Sequence, residues 1–359
     1  MSGAGRRQRE AACWKKIRGS MSRPSIEPAA WAAPKAPARA RLRRGSEPFP
    51  AARLLPLPAV GEDVVADSGG RLLCGLAGGR IVRVQPETGE VVTIGDTGGR
   101  PLGLELAPDG RVLVCDSHRG LLALDPASGS IETLVREVDG VPLRFCSNAA
   151  AMSDGTIWFT ESSSRFGFED YLGDILEHRG SGRLFRRDAG GTVEVVLTGL
   201  QFANGLALTA DQSALILAET GGYSLSRVAT GGPSAGRREV IAANLPGLPD
   251  NVSRDARGGF WVAMVTPRNP LLDRLSGRPG LRRLIWRVPS ALQPKPVHTA
   301  WAMAFDEQGR VLRDIEGRRD DFFFTTGVVE RAGKLYLAST EVAGLLELEL
   351  GPDRAQPVP

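Results

Sequence analysis

The chain has 359 residues, 42% of them apolar and 24% charged, enough for one large domain or two ordinary ones with a sizeable core. Its formal charge of +4 is unevenly spread: residues 1–50 hold twelve Lys/Arg against three Asp/Glu, and the remainder is net acidic by five, which argues against nucleic-acid binding as the main task. No run of eighteen apolar residues occurs, so no membrane span is expected, and the N-terminus lacks the uninterrupted apolar stretch of a signal peptide.

In chain order, residues 1–45 are basic and rich in Ala, Pro and Arg, the composition of a disordered leader; Met21 is an alternative start. From residue 46 to 359 one pattern recurs: a polar Asp-Gly turn followed by a short apolar strand. It reads "DSGGRLLCG" from Asp67, "PDGRVLVCD" from Pro108, "SDGTIWFTE" from Ser153, "ADQSALILAE" from Ala210, "RDARGGFWVAM" from Arg254 and "ERAGKLYLAST" from Glu330. Further strands of the types "GRIVRVQPETG" and "VEVVLTGL" follow, so each unit is a meander of about four strands. Such a period predicts an all-β, six-bladed β-propeller. No regular helix alternates with the strands, which disfavours parallel-sheet domains. Two helix-like stretches, "RFGFEDYLGDILEHRG" from Arg165 and "PRNPLLDRLSGRPGLRRLIW" from Pro267, interrupt blades and predict short helical insertions over one face. Phe166, Phe168, Tyr171 and Leu172 would then form a lid or pack on the rim.

The four cysteines, Cys13, Cys74, Cys115 and Cys146, form no CxxC pair and have no His at zinc-ligand spacing. A reduced, cytoplasmic setting is expected. Just upstream of the Asp-Gly turns stand Glu62 and Asp63, then Asn148, Asn204, and Asp250 with Asn251. The innermost strand of each propeller blade lines the central channel, so these side chains should converge at one mouth. A ring of carboxylate and amide oxygens suits Ca²⁺ better than Mg²⁺, which keeps most of its waters. The expected metal ligands are Glu62, Asn148, Asn204, Asp250 and Asn251, with two negative charges from Glu62 and Asp250.

The stretches "GEDVVAD", "FCSNAAAMSDGTIWFTESSSRF", "GLQFANGLALTADQSALILAET" and "NLPGLPDNVSRDARGGFWVAMV" resemble the strictosidine synthase-like family, most closely its adipocyte plasma membrane-associated protein branch, from about Ile26 to Leu350. The wider clan includes paraoxonases, gluconolactonases and regucalcin, and the resemblance implies a catalytic Ca²⁺ at the top of the channel on these same residues. It also implies a departure: where a strictosidine synthase carries its catalytic Glu, this chain has Thr326, and Glu330 reads as a turn residue. Amine–aldehyde condensation is therefore disfavoured.

The expected function is a Ca²⁺-dependent hydrolase of a small ester or lactone, with the metal polarising the carbonyl and Asp250 or Asp63 taking the proton from water. No GxSxG elbow occurs, against a serine triad. His118 is the histidine candidate for acid/base work; His178 and His298 are expected to be structural or exposed. The rival reading is a non-enzymatic binding scaffold with a structural metal.

Overall fold

The computed structural model describes residues 23–40, 51–289 and 297–351. Strand β1 (Ala52–Pro56) precedes a first four-stranded blade of β2 (Gly61–Ala66), β3 (Leu72–Leu76), β4 (Arg80–Val84) and β5 (Val91–Asp96). The second blade is β6 (Pro101–Leu106), β7 (Val112–Asp116), β8 (Gly120–Leu124) and β9 (Ile131–Val135), followed by a small hairpin of β10 (Glu137–Val138) and β11 (Val141–Pro142). The third is β12 (Cys146–Ala151), β13 (Ile157–Glu161), β14 (Gly182–Arg187) and β15 (Val193–Leu200). The fourth is β16 (Ala203–Leu208), β17 (Ala214–Glu219), β18 (Ser224–Ala229) and β19 (Arg238–Ala242). The fifth is β20 (Gly247–Arg254), β21 (Phe260–Pro267), β22 (Thr299–Phe305) and β23 (Val311–Arg318). The sixth takes β24 (Thr325–Arg331), β25 (Lys334–Ser339) and β26 (Gly344–Glu349) from the C-terminal end and β1 as its outer strand.

The expected six-bladed propeller is what the chain forms. Each predicted Asp-Gly unit is the hairpin between a blade's first and second strands. In the first, Asp67 Oδ1 accepts from Arg71 N at 3.0 Å and Gly70 takes φ +88°, a left-handed position that glycine fills without Cβ strain. Second strands such as β3, β7 and β17 are buried on both faces and read as nearly continuous apolar runs. Fourth strands such as β15 and β19 are half exposed and alternate with polar residues. Six apolar clusters fill the six blade–blade interfaces in turn. That between blades one and six, with Leu55, Val64, Tyr336 and Leu345, closes the ring.

All loops that enter an inner strand, and all that join a second strand to a third, lie at the end opposite the Asp-Gly hairpins. Both insertions sit in loops of the second kind. The first carries α1 (Tyr171–Glu177); the other carries α2 (Pro270–Arg274) and α3 (Pro279–Trp286). Asn269 caps α2, its Oδ1 accepting from Leu271 N and Leu272 N at 2.9 and 3.3 Å. No helix among the described residues is long and apolar enough to cross a membrane.

Residues 23–40, read from sequence as part of a disordered leader, hold only a single 3₁₀ turn yet are packed. Ile26 is buried with Phe166, Leu176 and Trp286, Trp31 stacks on His178 at 3.8 Å, and Arg39 pairs with Asp314 and Glu316 over the Trp301 ring. Residues 1–22 and 41–50, Cys13 and Met21 among them, lie outside the described residues; the other three cysteines are free and buried.

Candidate functional site

Every inner strand breaks register with its neighbour at the same place. The breaks fall between Gly61 and Val64, Pro101 and Leu104, Cys146 and Ala149, Ala203 and Leu206, Pro249 and Val252, and Thr325 and Gly327. A bulge re-aims the side chains it frees, here toward the axis. The first freed position is Glu62, Leu102, Ser147, Asn204, Asp250 and Thr326 around the ring. The position after it is Asp63, Gly103, Asn148, Gly205 and Asn251, also freed, and in the sixth blade Gly327, which pairs with Ala338.

That second position alternates between a polar side chain and glycine, and sterics explain it. A Cβ on Gly103 would stand 2.6 Å from Asn148 Nδ2; on Gly205, 2.6 Å from Asn251 Cα; on Gly327, 2.7 Å from Asp63 Cα. Six side chains do not fit on the axis at this level, so three blades supply them and three make room.

The predicted residues therefore converge, but with two corrections. Asn148 does not share an offset with Glu62, Asn204 and Asp250; Ser147 does, and its Oγ donates to Asn204 Oδ1 at 3.1 Å. Asp63, a sequence candidate for the general base, has both oxygens engaged by backbone, Oδ1 with Val64 N at 2.8 Å and Oδ2 with Leu104 N at 3.0 Å. It ties blade one to blade two, as Asn148 ties blade three to blade four through Leu206 N at 3.2 Å.

The amides form a chain across the axis. Asn148 Nδ2 donates to Asn251 Oδ1 at 2.9 Å, and Asn251 Nδ2 donates to Glu62 Oε1 at 3.2 Å. Each amide oxygen keeps a second lone pair. Asn204 Nδ2 donates to Thr220 Oγ1 at 3.1 Å, and that hydroxyl donates to Pro249 O. Glu62, Asp63, Asn148, Asn204, Asp250 and Asn251 are all buried. Two oxygens in this ring, Glu62 Oε2 and Asp250 Oδ1, have no hydrogen-bond partner.

Burial raises the Glu62 carboxyl well above the ordinary range, and the negative charges of Asp250 and Asp63 raise it further. Burial likewise raises Asp250, with Asp63 adding to it. Asp63 is pushed up by burial to about 7, its two backbone donors opposing the rise. Among the described residues no group of three or more His, Cys, Asp or Glu stands in a metal-holding arrangement; the ring offers two orphaned carboxylate oxygens among amides and hydroxyls.

The first insertion covers this mouth. Phe168, Tyr171 and Ile175 pack on Leu102, Phe145 and Phe202, with Phe145 edge-on to Phe168 and Phe202 at 5.9 and 5.4 Å. Phe166 and Leu172 instead join the second insertion through Trp286 and Ile285. The lid and rim readings are thus both met, by different residues of one insertion. His118 lies where blade two meets the lid, its Nε2 2.8 Å from Glu169 Oε1 and its pKa raised by that contact. His178 stacks on Trp31, and His298 on Phe323 at 4.0 Å.

Three features escaped the sequence reading. The acids ending second strands, Asp116, Glu161 and Glu219, look catalytic but accept from the backbone N–H of Arg100, Arg144 and Gln201, hooking the entry of each inner strand. Glu330 is a strand residue of β24, not a turn residue, and accepts from Trp261 Nε1 at 2.7 Å. Arg100, two residues before Leu102, lies buried beneath the Phe168 ring at 4.5 Å. Thr326 stands in the ring, its Oγ1 donating to Glu62 O at 2.6 Å.

The family model described as the SMP-30/gluconolactonase/LRE-like region matches residues 61–293. An adipocyte plasma membrane-associated protein of Salmo salar is 32% identical over 326 residues, spanning 84% of this chain and 78% of its own length. A protein named strictosidine synthase-like 13 from Arabidopsis thaliana is 36% identical over 228 residues, 62% of this chain and 56% of its own. Among solved structures, a gluconolactonase of Xanthomonas campestris superposes with a TM-score of 0.61 at 18% identity, covering 92% of this chain and 99% of its own. Regucalcin of Agrobacterium tumefaciens, described as a calcium-binding protein, superposes at 0.58 with 16% identity, covering 83% and 93%.

Proposed function

The chain belongs to the SMP-30/gluconolactonase/LRE-like family, and from that premise we propose that it is a calcium-dependent hydrolase of small esters or lactones. The observation that carries the reading is the pair of orphaned oxygens, Glu62 Oε2 and Asp250 Oδ1, in one buried ring. Two buried carboxylates with unmet lone pairs cost several kcal/mol unless something offsets their charge. The donor set is all oxygen, without His or Cys, as a hard dication prefers. Glu62, Asp250, Asn204 and Asn148 would hold the ion, and Asn251 would orient Glu62 through Oε1. Bound calcium supplies Lewis acidity toward a substrate carbonyl.

The chain's own groups do the rest. Asp250 is the acceptor for the proton of an attacking water in this reading, since burial raises its basicity. Asp63 is less suited, because both of its oxygens are occupied. The Phe145–Phe168–Phe202 cap excludes bulk water from the ring, and His118 with Glu169 clasps the lid to blade two rather than facing the ring. Condensation of an amine with an aldehyde has weaker support, since Thr326 brings a hydroxyl that is already donating.

The test is hydrolysis of an ester and lactone panel by the purified chain, with chelator and then with Ca²⁺ restored. Activity that disappears with chelator and returns with Ca²⁺ supports the proposal. Calcium binding without hydrolysis of any panel member would favour the binding scaffold instead.

A further inference from the structure

The second insertion differs in charge from the body that carries it. From Pro267 to Pro289 it holds six arginines and one acid, Asp273, although residues 51–359 together are net acidic. That acid is spent on Arg268, at 3.0 Å, and on the Tyr223 hydroxyl. Arg268 and Arg282 are buried and hold carbonyls of residues 23–40. The other four, Arg274, Arg278, Arg283 and Arg287, are exposed, and none has a carboxylate partner among the described residues.

The same insertion leaves apolar surface in water. In α3 Arg282 and Trp286 are buried, so at about 3.6 residues per turn the opposite side is centred on Leu284, with Leu281, Arg283 and Arg287 flanking it. Leu284 at 61% is the most exposed large apolar side chain among the described residues; Leu281 is 43% exposed and, on α2, Leu271 is 49%. A single exposed leucine needs no explanation, but leucines gathered on one insertion and rimmed by unpaired arginines do. This is the pattern of a helix that lies flat in a lipid interface, leucines inward and arginine stems reaching back to the headgroups.

Other acidic partners fit less well. Leucines add nothing to contacts with a nucleic-acid backbone. A protein groove that takes an amphipathic helix reads anchors over two turns or more, and α2 and α3 have only five and eight residues. The remaining charge of the chain is delivered to the same place. Arg23 lies over the Trp286 ring at 4.8 Å and donates to Trp286 O and Val288 O, at the C-terminal end of α3. Residues 1–22, with six Lys/Arg and one acid, join the described chain at that point.

We propose that the outer face of α2 and α3 docks the protein on an anionic lipid surface, the three leucines entering the headgroup region and the four exposed arginines meeting lipid phosphates. Trp286 and Ile285 of α3 pack on Phe166 and Leu172 of the first insertion, which covers the channel mouth, so a docked molecule turns that mouth toward the lipid. The proposal is independent of the hydrolase reading.

The experiment cosediments the full chain, in chelator, with vesicles of phosphatidylcholine alone and of phosphatidylcholine with about a third phosphatidylserine, at low salt and at about 0.5 M NaCl. The expected result is partition onto the anionic vesicles at least tenfold above the neutral ones, falling at least tenfold in the higher salt. One charge near such a surface is worth about fivefold in partition, so Arg278→Gln and Arg287→Gln should each lower it by about that factor. Arg237→Gln, in the exposed β18–β19 turn at the opposite end, should leave it unchanged. Leu281→Ala combined with Leu284→Ala keeps every charge and should lower partition at least fivefold, which ionic attraction by residues 1–22 alone would not produce. Thermal unfolding of each variant should match wild type, since every replaced side chain is exposed. Partition that survives either the leucine pair or the two arginine substitutions overturns the proposal. So does equal partition onto neutral vesicles, or none onto either. Binding to polyglutamate or to a DNA duplex without vesicle partition also overturns it and gives the face to another class of partner.

Discussion

The alternation of glycine with a polar side chain around the axis makes a sharp prediction for Gly205→Ala. The added methyl would stand 2.4 Å from Val252 N, 2.5 Å from Asp250 O and 2.6 Å from Asn251 Cα. All three are backbone atoms of the next inner strand, so no side-chain rotation relieves the clash. Ordinary contact lies near 3.5 Å or beyond, so β16 and β20 must part by about 1 Å. Both are packed on their far sides, and overpacking in such a place costs about 1–3 kcal/mol, occasionally more. We expect the upper end of that range, which corresponds to a fall in Tm on the order of 5 °C. Gly103→Ala and Gly327→Ala should behave alike, because their neighbours are Ser147 O at 2.5 Å and Asp63 Cα at 2.7 Å. Gly280→Ala is the control: nothing lies within 4 Å of its added Cβ, and in α3 the change should be neutral or stabilising by about 0.5 kcal/mol. The assay is thermal unfolding by circular dichroism. If the three axial variants melt with the Gly280 control, the steric account of the ring is wrong.

Other outcomes follow from the same geometry. Glu62→Gln or Asp250→Asn removes a buried charge, so each should raise Tm without calcium and diminish the rise that calcium produces, as differential scanning fluorimetry would read. His178 is held neutral by burial, its pKa pushed down to about 4 from 6.5. The unfolded chain takes up this proton near pH 6.5 and the folded protein only near 4, so stability is intact above 6.5 and declines as pH falls through that window. The decline amounts to at most about 3 kcal/mol, and His178→Phe should flatten it in urea titrations between pH 7 and 4. Arg282→Met removes bonds from Nη1 to Leu176 O at 2.8 Å and from Nη2 to Ser276 O at 3.0 Å, and one to Ala29 O. It should cost about 2–4 kcal/mol and expose residues 23–40 to limited proteolysis. His118→Ala breaks an exposed pair worth no more than about 1 kcal/mol, so its Tm should stay within about 2 °C of wild type.

The blades were legible because the units repeat one physical need, a tight polar turn, braced by Asp in five of the six, feeding a strand buried on both faces. Glu62, Asn204 and Asp250 were legible for the same reason, since a repeated offset from a repeated turn lands on one ring. The bulge hid the rest. In the third blade it frees two consecutive residues, so an offset counted along the sequence confuses Ser147 with Asn148. It also gives Asp63 to the backbone of the next blade, a contact between residues 41 apart that no local pattern carries. Gly103, Gly205 and Gly327 stand in plain view at a fixed place in "PLGLEL", "ANGLAL" and "TTGVVE", yet their meaning needs the neighbouring strand. Arg100 carries no motif; only burial without partners for its Nε and Nη1 singles it out. The segment 23–40 has the composition of a coil because its order comes from carbonyls caught by Arg268 and Arg282, far along the chain.

The pairing of Ala52 with Leu348 and of Pro56 with Gly344 has a consequence for biogenesis. Of the propeller's strands, the one that seals the ring is made first and its partner last. During synthesis β1 must wait, with its apolar Leu54 and Leu55 uncovered and its backbone groups unpaired, until some three hundred further residues have left the ribosome. A contact of such separation is slow to find, since loop closure must be met before it is rewarded, and a waiting edge strand invites pairing with the wrong chain. The blades can form one after another from the N-terminal side, but the circular order that brings Glu62 beside Thr326 comes into being only once the sixth blade has been made. The axial site is therefore among the last parts of the molecule to exist, and a chain truncated within its final strand would make five blades and no site.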